Sequence, residues 1–314
     1  MMLMLPTVAA FASLVAGAEA WTQLAAGNYL ESGSISSTLR WQSSGFLASG
    51  GCTSSWGIKK CYSLKLGGVG TNLQSTTATD YNSKLKTLSA APTTQEGWEN
   101  LAAADDDNLE AYFNAFPAAY SSNFADVKLM ARQVVQNCSS GGGNGTEPPP
   151  PPSPRQRIEF LSWPGAAAGQ TWKYTWKTRY GTTSTGDNFN HIWQILRRDA
   201  CGGASVTMDL RQGQVQIRDN VKPCGSNNIC ASTPVSNWFN KVVVHTMIIR
   251  YGIRGSINYS AVESGKPKVS LIKYSRLGDV GASASLKAGM YRASVTGVAP
   301  ASVWIGDWTA TRTN

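Results

Sequence analysis

The sequence predicts an all-β fold, a β-sandwich or jelly roll, with a small helical segment in its N-terminal half. Three observations lead there. From Arg155 to the end, stretch after stretch alternates apolar and polar residues with the period of two that a half-buried strand shows. Gly-containing turns separate these stretches, RQGQ at 211–214 and YGIRGS at 251–256 among them. No helical period intervenes, and strands that follow one another without crossover helices pack as antiparallel sheets face to face. At 314 residues, with 42% apolar and 15% charged, the chain has a globular composition and can bury one large core or two modest ones.

Residues 1–20, MMLMLPTVAAFASLVAGAEA, form an apolar run closed by Ala18-Glu19-Ala20, a small-x-small cleavage pattern, and predict a signal peptide cut before Trp21. No other stretch reaches the roughly 18 apolar residues of a spanning helix. Residues 21–120 are set apart as an N-terminal region without an assigned role. Within it, 29–66 holds short strand-like pieces, STLRWQ and CYSLKL, with no recognisable chemistry, and 98–120 reads as helical. Asp105, Asp106 and Asp107 stand at the start of that helix, where carboxylates complement the dipole, and no second ligand cluster with metal spacing follows.

Residues 121–314 are expected to form the sandwich. VKLMARQVV (127–135) opens it, and SSGGGNGTEPPPPPSP (139–154) interrupts it with a Gly run and a polyproline run that have no means of forming a core. That stretch reads as an interdomain linker or as a hairpin insertion. The strands proper are RQRIEFLSW (155–163), TWKYTWKTRY (171–180), NHIWQILRR (190–198), SVTMDLRQGQVQIRD (205–219), KVVVHTMIIRYGIRGSINYSAV (241–262), KVSLIKYSR (268–276), KAGMYRASV (287–295) and SVWIGDWTA (302–310). Their aromatic residues, Trp172, Tyr174, Trp176, Trp193, Trp304 and Trp308, are either core or sugar-stacking platforms.

Six cysteines, Cys52, Cys61, Cys138, Cys201, Cys224 and Cys230, suit an oxidising compartment, and Cys224 with Cys230 encloses a loop short enough for a pair. Asn137-Cys-Ser, Asn144-Gly-Thr and Asn258-Tyr-Ser are N-glycosylation acceptors, consistent with secretion, and the extracellular protein is expected to be a monomer. Charge is uneven. Arg155 to the end carries 20 Lys and Arg against 8 Asp and Glu, whereas Trp21 to Pro154 carries 8 against 10. A basic half steers polyanions, and outside the cell the expected partner is an acidic polysaccharide, a polyuronate, rather than nucleic acid or membrane. No phosphate loop, Ser-His-Asp order or zinc spacing is present, so no metal and no cofactor is expected.

The residues that carry chemistry sit on three strands. Alternation in KAGMYRASV puts Lys287, Gly289 and Tyr291 on one face and Ala288, Met290 and Arg292 on the other. Arg157 and Glu159 share a face of RQRIEF, and Asn190, His191 and Gln194 cluster in FNHIWQIL. His191 and Gln194 are three apart and face opposite ways on a regular strand, so which of them faces the cleft is open unless a bulge unites them.

This set, K-A-G-x-Y near the C-terminus, R-x-E on an early strand and a His/Gln-bearing central strand, resembles the motifs of the jelly-roll polysaccharide lyases of the alginate-lyase type and their fungal glucuronan-lyase-like relatives. The resemblance runs from about Phe124 to Arg312 and departs from the alginate-lyase type at its Gln-Ile-His. It implies a concanavalin-like jelly roll and cleavage of a uronic-acid polysaccharide by β-elimination. Tyr291 would be the catalytic acid and base, with Arg157 and His191 or Gln194 around the substrate carboxylate.

The residues suit that chemistry. Removing the proton at C5 of a uronate builds charge on the adjacent carboxylate, which fixed donors such as Arg157, Gln194, His191 and Asn190 would meet. Tyr291 could then take the proton and return it to the departing O4 if Lys287 or Arg292 lowers its pKa. Glu159, Lys287, Asn190 and Arg292 complete the expected substrate-binding set, and Gly289 leaves room for a sugar ring. A non-catalytic carbohydrate-binding, lectin-like protein of the extracellular space or cell wall would use the same basic face without turnover. A glycoside hydrolase would need two carboxylates facing each other across a cleft. His245, in VVVHTMII, reads as a satisfied core histidine.

Overall fold

The computed structural model describes residues 21–27, 30–71, 155–181, 183, 185–198, 203–224 and 228–314. The expected signal peptide, the helix at 98–120, the strand at 127–135, the Gly/Pro stretch at 139–154, Cys138 and Cys201 lie outside them. Two antiparallel sheets face each other. The eight-stranded one runs β1 (Thr22–Ala26), β4 (Phe46–Ser49), β5 (Cys61–Leu66), β17 (Ala301–Arg312), β8 (Thr171–Tyr180), β13 (Val242–Arg250), β14 (Gly255–Glu263), β15 (Ser270–Gly278). The nine-stranded one runs β12 (Ile229–Pro234), β11 (Gln214–Asp219), β10 (Ala204–Arg211), β9 (Asn190–Arg197), β16 (Ser283–Ala293), β6 (Arg155–Ser162), β3 (Leu39–Ser43), β2 (Glu31–Ser36), with the short β7 (Ala166–Ala167) paired to β16.

The all-β sandwich is as expected, but its limits are not. Five strands from residues 22–66 belong to these same two sheets, with β3 against β6 and β5 against β17. A sandwich beginning near residue 121 is therefore corrected: residues 21–66 are structural members of it. Short polar strands such as β2 and β3 carry a weak period-two signal, and their partners supply the burial that stabilises them.

Each sheet buries one face. In β8 the alternation places Tyr174, Trp176, Thr178 and Tyr180 inside. From the nine-stranded sheet Ile158, Phe160, Trp193, Met208, Ala288 and Met290 meet them. Trp193 and Tyr259 join the layers edge to face, their centroids 4.9 Å apart. Tyr174, Trp176 and Trp193 are thus core residues, and Trp308 packs on Trp176 at 5.5 Å. Trp304 instead meets Trp56 at 4.9 Å away from the core cluster.

His245 is the core histidine the sequence predicts. Fully buried, it stacks on Trp176 and bonds Thr178 through Nε2 at 2.8 Å and Tyr259 through Nδ1 at 2.9 Å. Disulfides Cys52–Cys61 and Cys224–Cys230 close short loops. Among the described residues no helix is long and apolar enough to cross a membrane, and no group of three or more His, Cys, Asp or Glu could hold a metal.

Candidate active site

β16 crosses the middle of the nine-stranded sheet and is buried on both faces. Its inner face joins the core, so the burial of its outer face must come from side chains standing on neighbouring strands. Those side chains form the site. Gly289 is where the strand deforms, at φ +145°, and a Cβ there would lie 2.2 Å from the Ile158 carbonyl oxygen. Only glycine allows β6 to approach so closely.

The register between β16 and β9 slips at the same place. Trp193 pairs with Ala288 and His191 with Tyr291, so Ile192 alone faces Gly289 and Met290. Against β10, Trp193 pairs with Met208 and His191 with Asp209, so there it is Ile192 that is the extra residue. This is the bulge that unites two residues three apart. Gln194 stands opposite Lys287 and Thr207, His191 opposite Tyr291 and Asp209, and both side chains reach the outer face.

Glu159 is the hub of one half of the site. Its carboxylate accepts from Gln194 Nε2 at 2.6 Å and pairs with Arg157 Nε at 3.0 Å and Lys287 Nζ at 3.2 Å. Gln42 Oε1, from β3, accepts from Lys287 Nζ at 3.1 Å and Arg157 Nη1 at 3.3 Å. Burial would push the Glu159 carboxyl up, but Lys287, Arg157 and Gln194 outweigh it and hold it below its usual range. Burial pushes the Lys287 ammonium down to about 8, with Glu159 opposing that shift.

Tyr291 is the centre of the other half. It is 8% exposed, and Arg155 Nη1 donates to its hydroxyl at 2.7 Å. The Arg157 guanidinium lies 4.2 Å over its ring, and the His191 ring is 5.6 Å away, tilted. Phe189 closes the side, 5.2 Å from Tyr291 and 5.0 Å from His191. His191 Nδ1 bonds Asp209 Oδ1, and Asp209 Oδ2 accepts from Thr207 Oγ1 at 2.9 Å. A carboxylate on Nδ1 assigns the proton there and leaves Nε2 as an acceptor.

Tyr291, Arg157, His191, Gln194, Glu159 and Lys287 are therefore brought together. Arg292 and Asn190 are not. They pair with each other across β16 and β9 on the opposite face from Tyr291. Arg292 donates to Gln156 Oε1 at 2.8 Å and to the carbonyls of Gly67 and Ala299 at 2.7 and 2.9 Å, while Asn190 donates to Thr183 at 3.1 Å. The cations against Tyr291 are Arg155 and Arg157, in place of the expected Lys287 and Arg292. Three residues of the cluster escaped the sequence reading. Arg155 continues the alternation of Arg157 and Glu159 and was legible from it. Asp209 is a carboxylate inside a strand, two residues before the RQGQ turn, where it looks like an ordinary turn-side acid. Gln42, on a short strand far back in the chain, gave no signal.

No protein-family model and no curated protein sequence matches the chain. Among solved structures, an alginate lyase from polysaccharide lyase family 7 is similar at 14% identity and a TM-score of 0.37, over 55% of this chain and 75% of that one. An endo-β-1,4-glucuronan lyase from the fungus Trichoderma reesei is similar at 15% and 0.38, over 52% and 77%. A seed lectin of Lotus tetragonolobus is similar at 9% and 0.34, over 54% and 86%. The likeness takes in lyases and a lectin alike.

Proposed function

We propose that this face binds a polysaccharide of uronic acids and cleaves it by β-elimination, in a protein secreted from the cell. The reading is carried by the Tyr291 hydroxyl, which has Arg155 on its oxygen and the His191–Asp209 pair at its flank. A binding surface needs no such proton-handling group beside a row of cations.

The reaction removes the C5 proton, forms the C4=C5 double bond, breaks the bond from C4 to O4 and returns a proton to O4, with no water consumed. Arg157 receives the substrate carboxylate, whose charge grows as the C5 proton leaves. Its Nε is fixed by Glu159 and its Nη1 by Gln42, so the fork is oriented before substrate arrives. Gln194 and Lys287 act behind it, holding Glu159 in place. Tyr291 takes the C5 proton and delivers it to O4, and Arg155 meets the charge on the phenol oxygen while the proton is absent. His191, with Nδ1 committed to Asp209, offers Nε2 as an acceptor beside the same reacting atoms.

The test is Tyr291→Phe assayed on a panel of polyuronates by the ultraviolet absorbance of the unsaturated product. The ring keeps its packing, the rate falls by about 10²–10⁴ and polyuronate binding survives. A Phe variant that forms unsaturated ends at the parent rate removes Tyr291 from the mechanism. A parent protein that binds polyuronates and cleaves none of them is a lectin.

A further inference from the structure

Two strands away from Lys287 the same sheet carries a second, separate group of cations. Arg40 on β3 is registered to Leu161 on β6, which is registered to Lys287 on β16. The Arg40 guanidinium lies 3.5 Å over the ring of Trp163, and that of Arg198 lies 5.2 Å from the same ring. Arg198 is fixed in place: its backbone N–H donates to Ser283 O at 2.7 Å and its Nε to Ser285 Oγ at 2.7 Å. Both arginines line a cavity of about 370 Å³ with Ser32, Ser34, Gln42 and Trp163.

Two guanidiniums share one tryptophan, and among the described residues no carboxylate pairs with either. The neighbouring Arg197 shows the contrast, since it has Asp279 at 3.0 Å. Burial, and then Arg40 beside it, hold Arg198 below the usual arginine range. Like charges held together at a partly desolvated site are unfavourable unless an anion joins them.

We propose that Arg40, Trp163 and Arg198 form a distal subsite for the carboxylate of a uronate further along the same polysaccharide chain. This rests on the polyuronate reading above and extends it. Planar guanidiniums receive a carboxylate through two parallel hydrogen bonds, and stacking on Trp163 keeps the Arg40 fork oriented for it. Gln42 ties the two sites into one groove: its Oε1 binds Lys287 and Arg157, and its side chain lines the cavity. Arg40 stands ~10 Å from Tyr291 across two strand spacings and ~13 Å along the strand, beyond the reach of the ring that reacts at Tyr291.

The test is titration calorimetry of oligouronates of increasing length against the parent, Arg40→Gln, Arg198→Gln and the double variant, with Arg198→Lys retaining charge but losing the planar fork. Melting temperature verifies that each variant is folded. In the parent, affinity steps up once the oligomer is long enough to reach Arg40, and the double variant loses that step by about tenfold or more. Long oligomers binding the double variant as tightly as the parent overturn the subsite. A parent that shows the arginine-dependent step yet makes no unsaturated product overturns the lyase activity and leaves the subsite standing. A step seen with sulfated neutral chains and absent with oligouronates overturns the assignment to a uronate.

Discussion

Asp209 holds His191 by Nδ1 from the adjacent strand, and Thr207 in turn holds the second oxygen of Asp209 at 2.9 Å. The carboxylate thereby fixes the tautomer of His191, whose ring lies 5.6 Å from that of Tyr291. An asparagine would fit the space but could present its amide N–H₂ to the ring and release the other tautomer. We expect Asp209→Asn to lower kcat by about 10²-fold, the low end for a general acid/base group, with KM near that of the parent. A raised KM at unchanged kcat would mean that His191 only binds.

Glu159 neutralises Arg157 and Lys287 in a place where water cannot. Glu159→Gln leaves two cations side by side, and breaking a buried pair costs about 3–5 kcal/mol. Lys287 has an escape, since its folded value of about 8 already lies below its unfolded value of about 10.4. The cost of burying its charge is present in full below about pH 8 and fades as pH rises toward 10.4. Urea denaturation should therefore show a stability loss in Glu159→Gln that shrinks on raising pH, and Glu159→Gln combined with Lys287→Met should recover most of it. A single variant as stable as the parent at neutral pH counts against the hub.

Burial pushes the His245 imidazole down to about 3, because Trp176, Tyr259 and Thr178 enclose it and exclude water. The folded state therefore refuses a proton that the unfolded chain accepts below about 6.5. Its contribution to stability is complete above that pH and is lost as pH falls toward 3, at up to about 1.4 kcal/mol per pH unit. His245→Gln should be less stable overall and show a flatter acid limb in denaturant melts. Parallel acid limbs in parent and variant would sink the assignment.

Gly289→Ala tests the close approach of β16 and β6. At φ +145° an added Cβ meets the Ile158 carbonyl oxygen at 2.2 Å, so both strain and collision act. Gly297, at φ +87° with nothing within 4 Å, separates the two effects. The Gly297→Ala change should cost about 1–3 kcal/mol from strain alone, and Gly289→Ala should exceed that and abolish turnover. Equal melting temperatures for the two variants would show that the strands part without cost.

The period of two made the sheets legible, and it made Tyr291, Lys287, Arg157 and Glu159 legible as one face. Applied strictly it also places Arg292 on the wrong side of Tyr291, where the structure has it. His191 and Gln194 could not be resolved by counting, because the irregularity depends on both neighbours: Ile192 is extra against β10, and β16 carries the surplus residue against β9. Gln42 lies 245 residues from its partner Lys287. A lone glutamine in a short polar strand looks like surface until the partner strand is known. The N-terminal strands were missed as members of the sandwich for the same reason: each is only four to six residues long, and the sheet order alone shows what it pairs with.

β17 lies between β5 and β8, and so joins the N-terminal strands of the eight-stranded sheet to β8 and its neighbours. Those N-terminal strands precede β17 by most of the chain and must wait for it before that sheet is continuous. β3 waits likewise for β6. Pairings across such long sequence separations form slowly, since chain entropy is lost before contacts repay it. The sandwich thus comes together late, and a chain that stops before residue 301 carries every side chain of the site with its eight-stranded sheet cut in two.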